Sequence, residues 1–122
     1  MKSFGERRAR RLVARRSGGW CEMCDRVSAT DWHHRLNRSQ GGLWCPSNGL
    51  HLCRICHAHA GAFRTVAKEQ GWAVAPGQVP ADVPVWMVRR GWCYLTPAGE
   101  AIPLVDDDPR GPWHNAQPPT YL

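Results

Sequence analysis

Residues 21–57 read CEMCDRVSATDWHHRLNRSQGGLWCPSNGLHLCRICH, and this stretch decides the fold. It opens on Cys21-x2-Cys24 and closes on Cys53-x2-Cys56, with 28 residues between the two pairs. A CxxC turn sets two thiolates on one side of a tight loop, at two corners of a tetrahedron. Two such turns complete a closed four-sulfur zinc site with no open position for substrate. The expected zinc is therefore structural. In a chain of 122 residues the apolar core is modest, so metal binding counts directly as folding free energy. Cys93 lies in an apolar stretch and reads as core. Cys45 is the thiol that could compete for the metal. Six cysteines in a chain whose Arg-rich N-terminus lacks an apolar signal segment predict reduced thiols and a cytoplasmic location. No apolar run approaches the ~20 residues of a membrane span.

The insert carries Asp31-Trp32-His33-His34-Arg35, then Asn48 and His51, and His57 follows the second cysteine pair directly. A single histidine is usually a plain surface or core residue. Four within 25 residues, two of them adjacent and one at the start of a helix beside a cysteine pair, point to metal or acid–base chemistry.

The order Cys21-x2-Cys24, His33-His34, Gly41-Gly42, Asn48-x4-Cys53-x2-Cys56-His57 resembles the HNH endonucleases, and most of all their small bacteriophage members. The resemblance covers about residues 10–75. It implies an α+β chain built on a ββα-metal (His-Me finger) core, two short strands and a helix around a catalytic divalent cation, Mg2+, Mn2+, Ni2+ or Zn2+. Under it, His33 and His57 hold that cation and His34 is the general base. Asn48 braces the loop and orients the base, and Cys21, Cys24, Cys53 and Cys56 hold the structural zinc. The implied partners are DNA and, for a phage protein, the terminase subunits of DNA packaging in the bacterial cytoplasm. The alternative is a non-catalytic, zinc-stabilised DNA-binding or terminase-accessory module, which would not need the paired histidines. Asp31 reads as a turn residue or a third ligand, with the turn preferred. His51 reads as a surface or supporting residue, and His59 points away from the metal.

The charge is lopsided. The chain carries 16 Lys plus Arg against 10 Asp plus Glu, a net +6, and residues 1–16 alone account for that +6. Arg dominates, and its planar fork suits phosphate. Arg7, Arg8, Arg11 and Arg15 on a basic N-terminal helix, with Arg35 and Arg38 just past the histidine pair, are the expected DNA contacts. The expectation is that the helix grips DNA while the insert does chemistry, so that removing residues 1–16 costs binding more than cleavage. Trp20, Trp32 and Trp44 read as core, and of the three Trp44, on the Gly-rich loop, is the best aromatic candidate for a DNA contact.

Local patterning supplies the remaining elements. A helix is expected over 4–16, with Phe4, Leu12 and Val13 as its apolar side, ended by Ser17-Gly18-Gly19. Strands are expected at 32–36 and 50–52. One helix is expected over 54–70, with Ile55, Ala58, Ala62, Phe63 and Val66 inward and Gly71 as its stop. After a Pro-rich link at 76–84, residues 85–88, 92–95 and 101–104 read as a small β-meander. The expected organisation is a basic helix plus nuclease domain over 1–75, the meander packed on or beside it over 76–104, and a flexible tail over 105–122. Asp106-Asp107-Asp108 reads as part of that acidic tail rather than as a cation site.

Overall fold

A computed structural model of the chain describes residues 5–104; the acidic tail and Phe4 lie outside the described residues. The chain is a mixed helix-and-sheet (α+β) protein. It begins with helix α1 (Glu6–Ser17), which Gly18 ends in the left-handed conformation at φ 64°. Strands β1 (Asp31–His34) and β2 (Gly49–Leu52) form an antiparallel ribbon in which His33 lies opposite Leu50 and His34 opposite Gly49. Helices α2 (Arg54–Ala62) and α3 (Arg64–Glu69) follow directly. Strands β3 (Val85–Met87), β4 (Gly91–Leu95) and β5 (Ala101–Pro103) make the expected antiparallel meander. The meander is not a separate layer with its own interior. Val85, Met87, Cys93 and Leu95 share one core with Leu50, Leu52, Ala67 and Trp72.

Two expectations about the helical region are corrected. The single helix over 54–70 is two helices, broken at Phe63, whose backbone leaves helical geometry at φ −113°, ψ 69°. The break has a geometric cause. His57, at the start of α2, packs ring to ring with His33, and the carbonyl of Trp72 also meets His33. A straight helix would carry the chain roughly 25 Å away over this interval at ~1.5 Å per residue. The chain must turn back instead, and Val74 N–H then bonds the Arg35 carbonyl beside β1. The helix face is also rotated from the expected one: Cys56 and Ala60 point inward, while Ile55 is 80% exposed and Phe63 is 55% exposed. Seating the cysteines inward overrides the hydrophobic period. Trp20 is a third correction: it is 46% exposed and makes only an isolated bridge with Ser28. Trp32 is buried as expected.

Helix α1 is part of the fold. Ala9 and Val13 are buried against Trp32. Gly49 makes room for that indole, because a Cβ at Gly49 would run into it. At the end of α1, Arg16 is buried and forks onto Glu22 at 2.7 and 2.8 Å, while Nη1 and Nη2 also donate to the Pro46 and Gly49 carbonyls. Glu22 in turn accepts from the backbone N–H of His51. Helix α1, the first cysteine turn and β2 are thus joined through one ion pair. Removing residues 1–16 would therefore remove core and ion pair together with the exposed arginines, so substitution of single arginines, rather than truncation, tests the expected DNA grip of the helix.

Arg16→Ala should therefore destabilise the protein by about 3–5 kcal/mol, because Glu22 would remain buried without its cation. Urea denaturation of the metal-loaded protein measures this; a loss below ~1 kcal/mol would show that the pair is not the joint described.

Candidate functional site

The four sulfurs of Cys21, Cys24, Cys53 and Cys56 all lie within 4.8 Å of one another, and they are the one such cluster of three or more metal-ligating side chains among the described residues. Each pair comes from a different element. Cys21 and Cys24 sit on the turn after α1, held by the Asp25 N–H to Cys21 carbonyl bond. Cys53 caps α2 by accepting from the Cys56 N–H. The donor set suits a metal with tetrahedral thiolate preference and is compatible with a structural zinc. The thiols also interact strongly. A hydrogen bond from Cys56 brings Cys21 down to about 4, the same bond pushes Cys56 up, and burial pushes Cys24 up. The Cys21 thiolate forms easily while Cys24 and Cys56 resist, and a cation among the sulfurs would favour their deprotonation. Cys45 stays out of this cluster, with its sulfur 3.2 Å from the Ser47 hydroxyl. Cys93 is core, as expected.

The next shell of chemistry lies on the ribbon. Successive side chains of a strand point to opposite faces, and β1 divides its residues accordingly. Asp31 and His33 share a face with His57. The His33 and His57 ring centroids are 5.2 Å apart and the rings meet edge to face. His33 Nε2 is 2.6 Å from the Trp72 carbonyl, to which it donates, leaving Nδ1 as the lone-pair nitrogen. His57 Nδ1 is 2.9 Å from Asp31 Oδ2, so donation to the carboxylate leaves Nε2 as its lone pair. Asp31 is neither a turn residue nor a bystander: it sits in β1, orients His57 and accepts from Arg54. The His57 bond holds the Asp31 carboxyl down to about 2.

His34 falls on the other face. It packs against Trp32 and Trp44, with ring centroids at 5.9 and 4.7 Å, and its Nε2 is buried with no hydrogen-bond partner. Burial pushes its pKa down, helped by the Arg38 and Arg10 charges. The paired histidines therefore do not converge on one point. Asn48 is fully buried and braces the loop as expected: its Oδ1 accepts from Leu36 N–H and its Nδ2 donates to the Leu36 and Leu43 carbonyls. None of these bonds goes to His34. His51 is a supporting residue, 2.7 Å from the Ser17 hydroxyl. His59 packs on Phe63, away from His33.

Arg35 is a correction. It is fully buried rather than displayed to phosphate. Its guanidinium donates to the carbonyls of Gly71, Ser47, Pro80 and Val83, stitching the insert to the Pro-rich link. Burial lowers its pKa to about 9. Arg38 is exposed, as are Arg7, Arg8, Arg11 and Arg15. Three features that matter are not singled out by sequence reasoning: Trp72, Arg10 and the Arg16–Glu22 pair. Trp72 is buried, donates from its indole to the Trp86 carbonyl and presents its own carbonyl to His33. Its Gly71-Trp72 position after a helix stop is the one signal that could have marked it. Arg10 lies in a run of arginines, with nothing in sequence to set it apart.

Among the described residues, no helix is long and apolar enough to cross a membrane. Comparison with family models, with curated proteins and with solved structures finds no match for this chain.

Cys53→Ser should release the tightly held metal, read as loss of about one zinc per chain by elemental analysis and a large fall in melting temperature; undiminished zinc would remove Cys53 from the site. Burial brings His33 down from 6.5 to about 4, against a raising effect of the Trp72 carbonyl. A folded-state value below the unfolded one means the native protein binds fewer protons. Stability should thus fall as pH drops from about 6.5 toward 4, by up to ~1.4 kcal/mol per unit from this group. Imidazole NMR should show His33 neutral at a pH of about 5.5, and a protonated ring there would contradict the burial described.

Proposed function

We propose that this chain is a metal-dependent DNA endonuclease of the HNH kind, which hydrolyses phosphodiester bonds during phage DNA processing or packaging beside terminase subunits. The observation that carries the reading is the His33–His57 pair. One ring comes from a strand and the other from the start of the following helix, and they lie 5.2 Å apart beside the four-cysteine cluster. Each ring commits one nitrogen to a protein oxygen and keeps the other as a lone pair, the arrangement by which second-layer acceptors orient metal-ligating histidines. The β1–β2–α2 order supports a ββα-metal core, and the cysteine cluster supports a structural zinc.

A divalent cation between the two rings (Mg2+, Mn2+, Ni2+ or Zn2+) would supply Lewis-acid charge at a phosphate oxygen. The remaining work belongs to side chains. His34 serves as the general base: its lowered pKa keeps it neutral near pH 7, and its Nε2, buried and unpartnered, would take a proton from water once the packing of Trp44 against it opens. Asn48 keeps the 36–43 loop in register next to it. The water's oxygen attacks phosphorus and the 3′ oxygen leaves, giving 5′-phosphate and 3′-hydroxyl ends.

One observation favours a second reading, a non-catalytic zinc-stabilised DNA-binding module: His34 does not share a face with His33 and His57. Plasmid incubated with Mg2+, Mn2+ or Ni2+ separates the two. The nuclease reading expects nicked or linear product, a loss of about 10²–10⁴ in rate for His34→Ala, and a comparable loss for His33→Ala. Plasmid left supercoiled with every cation would give the function to the binding module. Cleavage that survives His34→Ala would retain the nuclease and remove His34 as its base.

A further inference from the structure

The indole of Trp44 is half-buried and edges onto His34 and Trp32. Two guanidiniums from distant parts of the chain lie over it: Arg10 of α1 at 5.1 Å from the ring centroid, and Arg38 of the Gly-rich loop at 5.8 Å. Both distances are within the range of cation–π attraction. The two cationic carbons are consequently no more than about 11 Å apart, comparable with the screening length of ~8–10 Å at physiological salt, so each feels the other's charge. The single carboxylate bonded to this group is Glu6, which accepts from Arg10 Nε at 2.9 Å in an exposed pair one helical turn away. Arg38 makes no ion pair among the described residues. The contrast with the other arginines of this region is informative. Arg16 and Arg35 are buried and saturated by protein oxygens. Arg10 and Arg38 are exposed and gathered around one aromatic ring.

We infer that Arg10, Trp44 and Arg38 form a clamp for neighbouring backbone phosphates of duplex DNA, one to each arginine, placed directly beside His34. Trp44 positions the clamp: both guanidiniums lie over its ring, at 5.1 and 5.8 Å from the centroid, so one aromatic supports two cations. The inference deepens the DNA-binding part of the proposed function and rests on it, but does not need cleavage. It joins the basic helix to the histidine face through Arg10, and it makes the 3-10 turn Arg38–Gln40 part of the DNA footprint. Guanidinium forks suit phosphate oxygens, and each neutralised phosphate releases counterions, so the clamp has a defined salt signature.

The test uses the full-length, metal-loaded protein and a fluorescein-labelled DNA duplex, read by anisotropy across a salt series with no added divalent cation. Cleavage then plays no part, and an inactive protein can still pass. Arg10→Gln and Arg38→Gln should each weaken binding several-fold and reduce the slope of log affinity against log salt by about one. Trp44→Leu, which keeps both charges, should weaken binding while leaving the slope near the wild-type value, because the cations lose their shared support. Lys68→Gln, an exposed cation on α3, should change neither. Melting curves that match wild type for the two arginine variants, both exposed residues, keep the comparison clean. Wild-type affinity and slope in the Arg10→Gln/Arg38→Gln double variant would overturn the clamp. An equal loss in Lys68→Gln would also overturn it, by showing an unfocused response to charge. Loss of all DNA binding by wild type would instead sink the DNA reading itself.

Discussion

The rotation of α2 about its axis is the constraint on which the rest of this structure depends, and the cysteine cluster sets it. Cys53 caps the helix and Cys56 turns inward to meet Cys21 and Cys24. With that face fixed, His57 is carried onto the ribbon beside His33, and Ala60 is carried into the core. The cost is visible on the other side, where Ile55 stands 80% exposed. Fully burying an isoleucine contributes about 1.5–3 kcal/mol. A metal held by four thiolates can contribute on the order of 10 kcal/mol in small zinc domains. A metal bound by this cluster would outweigh the burial of one side chain, and the apolar period of the helix yields to the inward cysteines.

Two buried arginines complete the frame, by different means. Arg16 neutralises Glu22 and ties α1 to the first cysteine turn. Arg35 has no carboxylate. Its donors meet four backbone carbonyls from segments that would otherwise be irregular loop: Gly71, Ser47, Pro80 and Val83. Buried carbonyls need donors, and a planar guanidinium supplies several in fixed directions. This explains how a chain of short strands and 3-10 turns keeps a defined interior. It also explains why arginine content alone misleads about nucleic acid here: part of it is internal scaffolding.

What sequence disclosed and what it hid follow from the range of each interaction. The cysteine pairs, the strands of the ribbon and the meander rest on short motifs and local period and were legible, while the bracing role of Asn48 came from the resemblance alone. The break at Phe63 was not, because it arises from Trp72 returning to His33, a contact 39 residues apart in sequence. Arg35 reads identically as a phosphate ligand and as a buried staple, since only the positions of distant carbonyls distinguish the two. Arg10 is likewise one of a run until the fold sets Trp44 beneath it. Asp31 looked like a turn residue because nothing local shows that His57 lies beside it.

Adjacent strand residues face opposite ways, so the ribbon separates a face bearing His33, His57 and Asp31 from one bearing His34, Trp44 and the guanidiniums of Arg10 and Arg38. A base on one face can serve a phosphate held from the other only where the ribbon ends. β1 ends at His34, and its partner there is Gly49, which adds no side chain. The space that Gly49 leaves is filled by the Trp32 indole. On the proposed nuclease reading, a duplex backbone at that end would have the arginines on one side and His33 and His57 on the other. His34 Nε2 is buried, with the Trp44 ring packed edge to face against the imidazole, so that packing has to loosen before the base meets water. On the proposed nuclease reading, Trp44 would both support the DNA grip and keep His34 from water until that packing opens.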